Sequence, residues 1–425
     1  MTTPPPPEAE LHDAFARHDA AAVDRLLNEF PAFRDRINQP VFPYDAPAIV
    51  ACANDAAMVK VLLAHGADPN QRSNWWAGGF HALHSATGAA ADLLLAAGAE
   101  PDACALAHLD RIDLLERMLA DHPERVHERG GDGQTPLHFA RSRAAIDLLL
   151  GAGADIDARD VDHRATAAEW MLDRRKNAGR YDLATYLVER GATADIFLAA
   201  ALGLAGSVRA LLTADPTLLD ARTGQGHYAE QPPSSFHIYF WTIGGNRSAL
   251  DTALQFGHAE LLDIMMEFAT PRQRFLLVCR RGDGAAAKTM LRDHPDLIAS
   301  LTPDDHRALA DAAWQADAKA VALMLELGFD PMVPGHDGGT ALHCAAWQGS
   351  PETVALLLAH PAASQLFGVR DARYDATPLG WCCHGSLHSG NRENHSGVAT
   401  LLIAAGSPIE PDLEGSPAVM AVLGR

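Results

Sequence analysis

The groups in this sequence that could carry out chemistry are histidines. They lie close in sequence to carboxylates, to aromatic residues or to cysteines. Asp162 and His163 share one acidic segment, His237 lies in an aromatic run, and His384 follows two cysteines. A carboxylate can orient an imidazole for general-base work, so these four residues form the candidate catalytic set. Acidic residues also favour turns through local hydrogen bonds, and on that interpretation Asp162 is structural.

Motifs of established enzyme classes give this set no support. The sequence contains no nucleophile elbow, no glycine-rich phosphate loop and no His-Glu-x-x-His zinc motif. We therefore leave the question of an enzyme open and favour a function without catalysis.

Three histidines near the C-terminus have a spacing that could ligate zinc. His384, His388 and His395 follow the pattern His-x3-His-x6-His, with Glu393 nearby. Because neither a cysteine nor a carboxylate completes a recognised ligand spacing, we predict a solvated polar loop over residues 386–396. The six cysteines form no Cys-x-x-Cys pair and are expected to be buried free thiols. We predict neither a metal nor a cofactor.

The elements that must position these residues repeat with a period of 33. Residues 309–317 and 342–350 share Leu, Ala-Ala-Trp-Gln and a turn of small residues. Thr-Pro-Leu-His or close variants recur at residues 135–138, 340–343 and 377–380, and Gly-Ala-Asp or close variants recur at 66–68, 98–100, 153–155 and 191–193. This period with these motifs resembles the ankyrin-repeat family over nearly the whole chain.

The resemblance implies an all-α ankyrin-repeat solenoid of about twelve helix pairs. Each pair would have an inner and an outer helix, and a short β-like connection, which we call a finger, would lead to the next pair. We expect repeats over residues 8–222 and 248–425, an inserted segment at 223–247, and a bend near 194–303. The resemblance also implies that His84, His138 and His343 make structural hydrogen bonds between repeats.

The inserted segment is the largest departure from the repeat. Glycine and proline turns flank the aromatic run at residues 236–241, which indicates one long hairpin. Strand side chains alternate between faces, so His237, Tyr239 and Trp241 would share one face, opposite Phe236, Ile238 and Phe240. The hairpin would either pack on its neighbours or form a flap over the groove of the solenoid.

A column of residues follows the inner Ala-Ala of the later repeats and is expected to face solvent. Its polar and aromatic members are Gln255, Arg280, Trp314, Trp347 and His384. The alternative is that the two tryptophans fill a widening between helices. Exposed aromatic residues concentrate in contacts, so we predict binding residues in the column, the fingers and the inserted segment. The full set is Trp75, Trp76, Tyr239, Trp241, Arg280, Trp314, Trp347, Arg373, Tyr374, His384 and His388.

Composition limits the partners. The formal net charge is −20, with 54 acidic and 34 basic residues, so the surface repels phosphate backbones and we exclude nucleic acid. No apolar run of about 18 residues or more predicts a membrane span. The cysteine usage and the N-terminus, which is neither basic nor apolar, fit the cytoplasm.

The resemblance implies protein–protein recognition through the concave groove and the finger tips. The acidic charge favours a basic or polar protein partner. The alternative is a small-molecule site or an enzyme, with His and Asp as acid and base in a pocket that the inserted segment closes. An enclosed, mostly apolar cavity would distinguish this alternative from an open groove.

Overall fold

The computed structural model describes residues 7–173, 180–389 and 394–425. These residues form α-helices and short 3-10 helices joined by turns, and no β-strand occurs among them. Isolated bridges, such as the one between Arg159 and Thr166, occur in the connections. None of the helices in the described ranges is long and apolar enough to cross a membrane. The predicted helical repeat architecture is confirmed, whereas the number of repeats stays a prediction.

The helices are short, as expected for stacked pairs. In chain order they are α1 Glu8–Ala16, α2 Ala20–Glu29, α3 Pro31–Arg34, α4 Ala48–Ala51, α5 Ala56–Ala64, α6 Gly88–Ala96, α7 Ala103–His108, α8 Ile112–Asp121, α9 Pro136–Phe139, α10 Arg143–Gly151, α11 Ala167–Trp170, α12 Tyr181–Glu189, α13 Ile196–Ala201 and α14 Ala205–Ala214. They continue as α15 Tyr239–Thr242, α16 Ala249–Gln255, α17 Leu261–Phe268, α18 Pro271–Arg280, α19 Gly284–Asp293, α20 Pro303–His306, α21 Ala308–Trp314, α22 Ala318–Glu326, α23 Ala341–Trp347, α24 Pro351–Leu358, α25 Ala363–Leu366, α26 Pro378–His388, α27 His395–Ala404 and α28 Pro417–Val422.

The 3-10 helices lie mainly in the connections. They span Pro43–Asp45, Ala82–His84, Pro123–His127, Gly131–Gly133, Pro216–Asp220, Gly226–Tyr228 and His336–Gly338.

Local sequence sets where these helices begin and end. The Asp55 carboxylate accepts hydrogen bonds from the backbone amides of Ala57 and Met58, at 2.9 and 3.1 Å, and so caps the start of α5. After α5 the chain turns at Gly66, whose φ of +87° favours a residue without a side chain. The outer helix therefore begins and ends at fixed residues.

Histidines at the start of inner helices link one repeat to the next. The Nδ1 atom of His343 accepts a hydrogen bond from the Thr340 amide at 3.1 Å. Its Nε2 atom lies 3.1 Å from the Ala376 carbonyl, to which it donates. His138 makes the same pair of contacts, with Thr135 and Ala165. The predicted structural role of these histidines is confirmed.

Small residues bring neighbouring inner helices together. Helix α23 packs on α21 on one side and on α26 on the other. Ala345 and Ala346 of α23 are fully buried, as is Cys344. The cysteines in the chain are free thiols and all are buried, as predicted. One helix pair has too little partner surface to bury its apolar face alone, so stacking supplies the core.

The chain divides into two compact units. The first comprises Met1–Ser207 and Ala221–His258, and the second comprises Val208–Asp220 and Ala259–Arg425. The inserted segment at 223–247 belongs to the first unit. The boundaries that we predicted between the repeat blocks stay a prediction.

The predicted hairpin over the inserted segment is wrong. Its two ends pair through backbone bonds between Thr223 and Arg247, at 3.0 Å, and between Asn246 and Thr223, at 2.8 Å. The aromatic run, however, contains no strand, and its last three residues begin helix α15, Tyr239–Thr242. His237, Ile238 and Tyr239 are consecutive and all fully buried, so the faces do not alternate. A helical turn satisfies the backbone locally, which lets three adjacent side chains enter the core.

We expect mild acid to destabilise the fold through the buried histidines. Burial lowers the pKa of His138 and His343 to about 4. The unfolded chain, with a histidine pKa of about 6.5, therefore binds more protons between pH 6.5 and 4. Stability falls as the pH falls through this window, by up to about 1.4 kcal/mol per pH unit for each histidine.

Melting temperatures of His343→Gln and wild type between pH 7.5 and 5 measure this effect. The variant should have a lower melting temperature than wild type at pH 7.5, but its melting temperature should fall less when the pH is lowered to 5. The control is His294→Gln, because His294 is exposed. Equal pH slopes for His343→Gln and wild type would contradict the prediction.

Candidate functional site

A row of rings lies along three neighbouring inner helices of the second unit. Trp314 ends α21 and Trp347 ends α23, and their rings stack with centroids 6.0 Å apart and planes 15° apart. The Trp347 ring lies 5.4 Å from His384, which lies 4.3 Å from His388. The tryptophans are half-buried and the histidines are exposed. We call these four residues the aromatic row.

A buried tryptophan supports the aromatic row from below. Trp381 is 5% exposed and packs edge-on against Trp314 and Trp347, at 6.5 and 6.2 Å. Its indole N–H donates to the Asp371 carboxylate at 2.9 Å. A Cβ atom at Gly339 would lie 2.7 Å from the Trp381 ring, so only glycine leaves room for it there. The row therefore rests on a fixed support.

His395 fixes the end of the helix that carries Trp347. Its Nε2 atom donates to the Trp347 carbonyl at 2.8 Å, and the residue is fully buried. The loop predicted to begin at residue 386 is shorter than expected, because α26 continues through His388 and α27 begins at His395. Glu393 lies outside the described residues. His395 thus serves the fold and does not join His384 and His388.

Arg280 occupies the predicted column at the end of α18. Its guanidinium lies 3.9 Å from the carboxylate of Asp311, which is buried on α21. This contact holds a positive charge beside the helix that carries Trp314.

Arg373 and Tyr374 lie exposed on the finger before α26. Arg373 pairs with Asp337 at 2.6 Å, and the Tyr374 hydroxyl lies 3.3 Å from the same carboxylate. The Arg373 guanidinium also lies over the Tyr374 ring, at 5.4 Å. Two successive fingers of the second unit are thereby joined at their tips.

Trp75 and Trp76 form a separate aromatic group in the first unit. The Trp75 ring packs edge-on against Tyr44 of the preceding finger at 5.3 Å, whereas Trp76 is 44% exposed. One tryptophan of the pair therefore packs on the neighbouring finger and the other faces solvent. Whether Trp76 binds a partner stays a prediction.

The finger that carries Asp162 and His163 holds the inserted segment. The Asp162 carboxylate accepts from the Ser235 amide at 2.9 Å, and His163 Nδ1 donates to the Phe236 carbonyl at 2.9 Å. The structure thus brings these two candidate catalytic residues to the segment that carries His237. Both use their polar atoms to anchor its backbone.

A buried polar network lies behind this contact, and sequence reasoning missed two of its carboxylates. His237 Nε2 lies 3.5 Å from the Glu169 carboxylate, and both residues are buried. The hydroxyls of Tyr228 and Tyr239 donate to Asp195 at 2.9 and 3.0 Å. Burial raises the pKa of Asp195, and the charge of Glu169 adds to this shift. Glu169 and Asp195 could have been noticed only as helix-capping residues.

Two members of the predicted His-Tyr-Trp face lie inside the fold. His237 and Tyr239 are fully buried, so of the two alternatives the inserted segment packs on its neighbours and does not present these two side chains on a flap. Trp241 of the same run is 40% exposed. A cavity of about 210 Å³ lies elsewhere in the first unit, at Leu11 and Phe15, and no candidate catalytic residue lines it.

One group of potential metal ligands occurs among the described residues. The donor atoms of His84, Asp102 and Cys104 lie within 4.8 Å of one another. His84 already bonds Asp102 at 2.9 Å, and Arg72 bonds the same carboxylate at 2.6 Å. Burial raises the pKa of the Cys104 thiol well above its usual value, which disfavours the thiolate that a metal requires. These contacts are those of a structural ion pair.

Comparison with known families agrees with this architecture. The ankyrin-repeat family model matches residues 46–74, 132–161 and 337–366. The first two matches lie in the first unit, and the third includes α23 with Trp347. The chain thus contains ankyrin repeats in both units. No curated protein matches it.

We expect Tyr239→Phe to destabilise the first unit. The change leaves the Asp195 carboxylate without one of its two hydroxyl donors, which should cost about 1–2 kcal/mol. Urea unfolding followed by circular dichroism measures the loss. The matched control is Tyr374→Phe, because the Tyr374 hydroxyl also faces an aspartate but is exposed. Equal losses in the two variants would show that the buried network adds nothing.

Proposed function

We propose that this protein is a recognition scaffold and that the aromatic row binds a protein partner. Ankyrin repeats are generally protein–protein interaction modules, and three of them are detected here. The observation that carries the proposal is the stack of Trp314 and Trp347, which stays half-exposed although its lower edge is packed on Trp381. Partly exposed aromatic rings in a fixed arrangement are typical anchors of interfaces.

The rigidity of the aromatic row favours binding. The buried Trp381 ring packs against the inner side of Trp347, and His395 holds the Trp347 carbonyl at the end of α23. Side chains that are ordered before binding lose less conformational entropy when a partner docks. A partner residue can therefore pack on Trp347 with little loss of conformational entropy in the Trp347 side chain.

A basic segment is the partner that the charges favour. The chain carries a net charge of −20, and the face of an indole ring attracts Lys and Arg cations. Burial, together with the neighbouring His388, lowers the pKa of His384, so that ring is neutral at pH 7 and does not repel a cation. Arg280 faces the Asp311 carboxylate, which offsets its charge.

The buried free cysteines support a reducing compartment, and we propose the cytoplasm. The alternative of an enzyme in the first unit has no supporting geometry, because His237 is fully buried.

Peptide binding tests the proposed function. Three peptide sets of equal length, rich in Lys and Arg, neutral, or rich in Asp and Glu, are titrated with the purified chain by fluorescence polarisation. We expect the basic set to bind and its affinity to fall with added salt. Trp347→Ala should weaken binding roughly 30-fold, as expected for an anchor worth about 2 kcal/mol.

Two further variants make this experiment decisive. His384→Ala removes an exposed ring of the same row and should weaken binding without lowering the melting temperature. The control is Leu114→Ala, which removes an exposed apolar side chain from the first unit that is not among the predicted binding residues. The proposal fails if the three peptide sets bind alike, or if Leu114→Ala weakens binding as much as Trp347→Ala.

A further inference from the structure

Two arginines of the first unit, Arg141 and Arg180, lie near each other and form no ion pair with any carboxylate in the described part of the chain. The Arg180 guanidinium donates through Nη1 to the carbonyls of His138 and Ala140, at 3.1 and 2.6 Å. Arg141 directly follows Ala140, so the Arg180 guanidinium lies against the backbone next to Arg141, at the end of α9, close enough for the Arg141 charge to affect the pKa of Arg180. Both residues are half-buried, and each keeps a part of its surface open to solvent.

A neutral histidine orients the second guanidinium. His108 Nε2 lies 3.2 Å from the Ala86 carbonyl, to which it must donate. Its Nδ1 atom therefore accepts, and it lies 3.1 Å from Arg141 Nη2. Burial and the charge of Arg141 lower the pKa of His108 to about 4, in agreement with a neutral ring at pH 7. His108 thus adds no charge to the two guanidinium groups.

Among the described residues neither arginine has a paired acid, which is also true of Arg164 and Arg307, but here two such guanidinium groups lie near each other. Over the described residues, neither guanidinium has a carboxylate within the 4.0 Å that defines an ion pair. Arg190 on the next helix shows the usual arrangement, since it pairs with Asp147 at 2.5 Å. Burial lowers the pKa of Arg180 to about 10; the charge of Arg141 adds to this shift, and Asp173 opposes it. The two positive charges thus repel each other across a partly desolvated space.

We infer that His108, Arg141 and Arg180 form a binding site for a phosphate dianion. Two guanidinium groups carry two positive charges, and a phosphate or phosphate monoester carries about −1.5 to −2 at pH 7. Each guanidinium has five N–H donors in a planar fork that fits phosphate oxygens, and few of these donors have an acceptor among the described residues. The site lies in the first unit and does not depend on the aromatic row.

Phosphate titration of the full chain tests this inference. Inorganic phosphate and O-phosphoserine are titrated by calorimetry, with chloride holding the ionic strength constant. Melting temperatures are recorded in the same solutions, because a ligand of the folded state raises them. We expect binding and a raised melting temperature with phosphate but not with chloride alone. A wild-type chain that responds to neither phosphate compound overturns the inference.

Matched variants locate the site. Arg141→Gln should weaken phosphate binding at least about tenfold, because a charged hydrogen-bonding group is lost. Arg143→Gln is the control, since Arg143 is an exposed arginine two residues away that packs over Tyr186. If Arg141→Gln does not fold, Arg141→Lys keeps the charge but loses the planar fork, and it should also bind more weakly. Affinity unchanged in the folded Arg141 variant overturns the assignment.

The two ligands distinguish the source of the phosphate. O-phosphoserine binding more tightly than inorganic phosphate would identify a phosphorylated partner as the natural ligand. Equal or weaker binding of O-phosphoserine would identify free phosphate. Both outcomes support the site, because both require the Arg141 guanidinium.

Discussion

The close approach of neighbouring inner helices is the constraint on which the rest of the structure depends. Ala345 and Ala346 leave no side chain beyond Cβ between α23 and its neighbours, and both are fully buried. Helices that approach this closely place residues one repeat apart in direct contact. The stack of Trp314 on Trp347, which are 33 residues apart, is a consequence of that spacing. A bulky residue at either alanine would separate the helices and, with them, the two rings.

The fingers are tied to this helix stack by a few polar groups. The Asp371 carboxylate accepts from the amides of Tyr374 and Ala376 and from the Trp381 indole. His343 donates to the carbonyl of the same Ala376. One buried carboxylate and one imidazole therefore fix the finger tip and the support of the aromatic row together. The finger and the aromatic row are then coupled mechanically, since neither can move without breaking a buried hydrogen bond.

The sequence predicts those parts of the molecule that repeat. The 33-residue period located the helix pairs, the histidines between repeats and the register of Trp314 and Trp347. The inserted segment has no counterpart in other repeats, so its structure could be predicted only from its own residues. The alternating side-chain pattern of residues 236–241 predicted a strand. The partners of Tyr239 and His237 are Asp195 and Glu169, which lie far away in sequence and gave only a capping signal.

The phosphate site could have been recognised in part from the same register. His108 and Arg141 are 33 residues apart and in contact, as Trp314 and Trp347 are. The predicted column of solvent-facing residues covers only the later repeats and therefore does not include this pair. Arg180 could not have been added, because it lies outside the register and reaches the end of α9 from the start of α12.

The acidic composition makes the arginine pair harder to explain without a ligand. Partly burying a cation costs free energy unless an anion or a set of acceptors compensates it. The chain has 54 acidic residues from which a partner could have been supplied, and most other half-buried arginines, such as Arg222 and Arg272, have one. Among the described residues, the hydrogen bonds of the Arg141 and Arg180 guanidinium groups go to two carbonyls and a neutral imidazole, and Asp173 only partly offsets the charge of Arg180. A bound dianion removes that imbalance, whereas a carboxylate of the protein at the same place would compete with it.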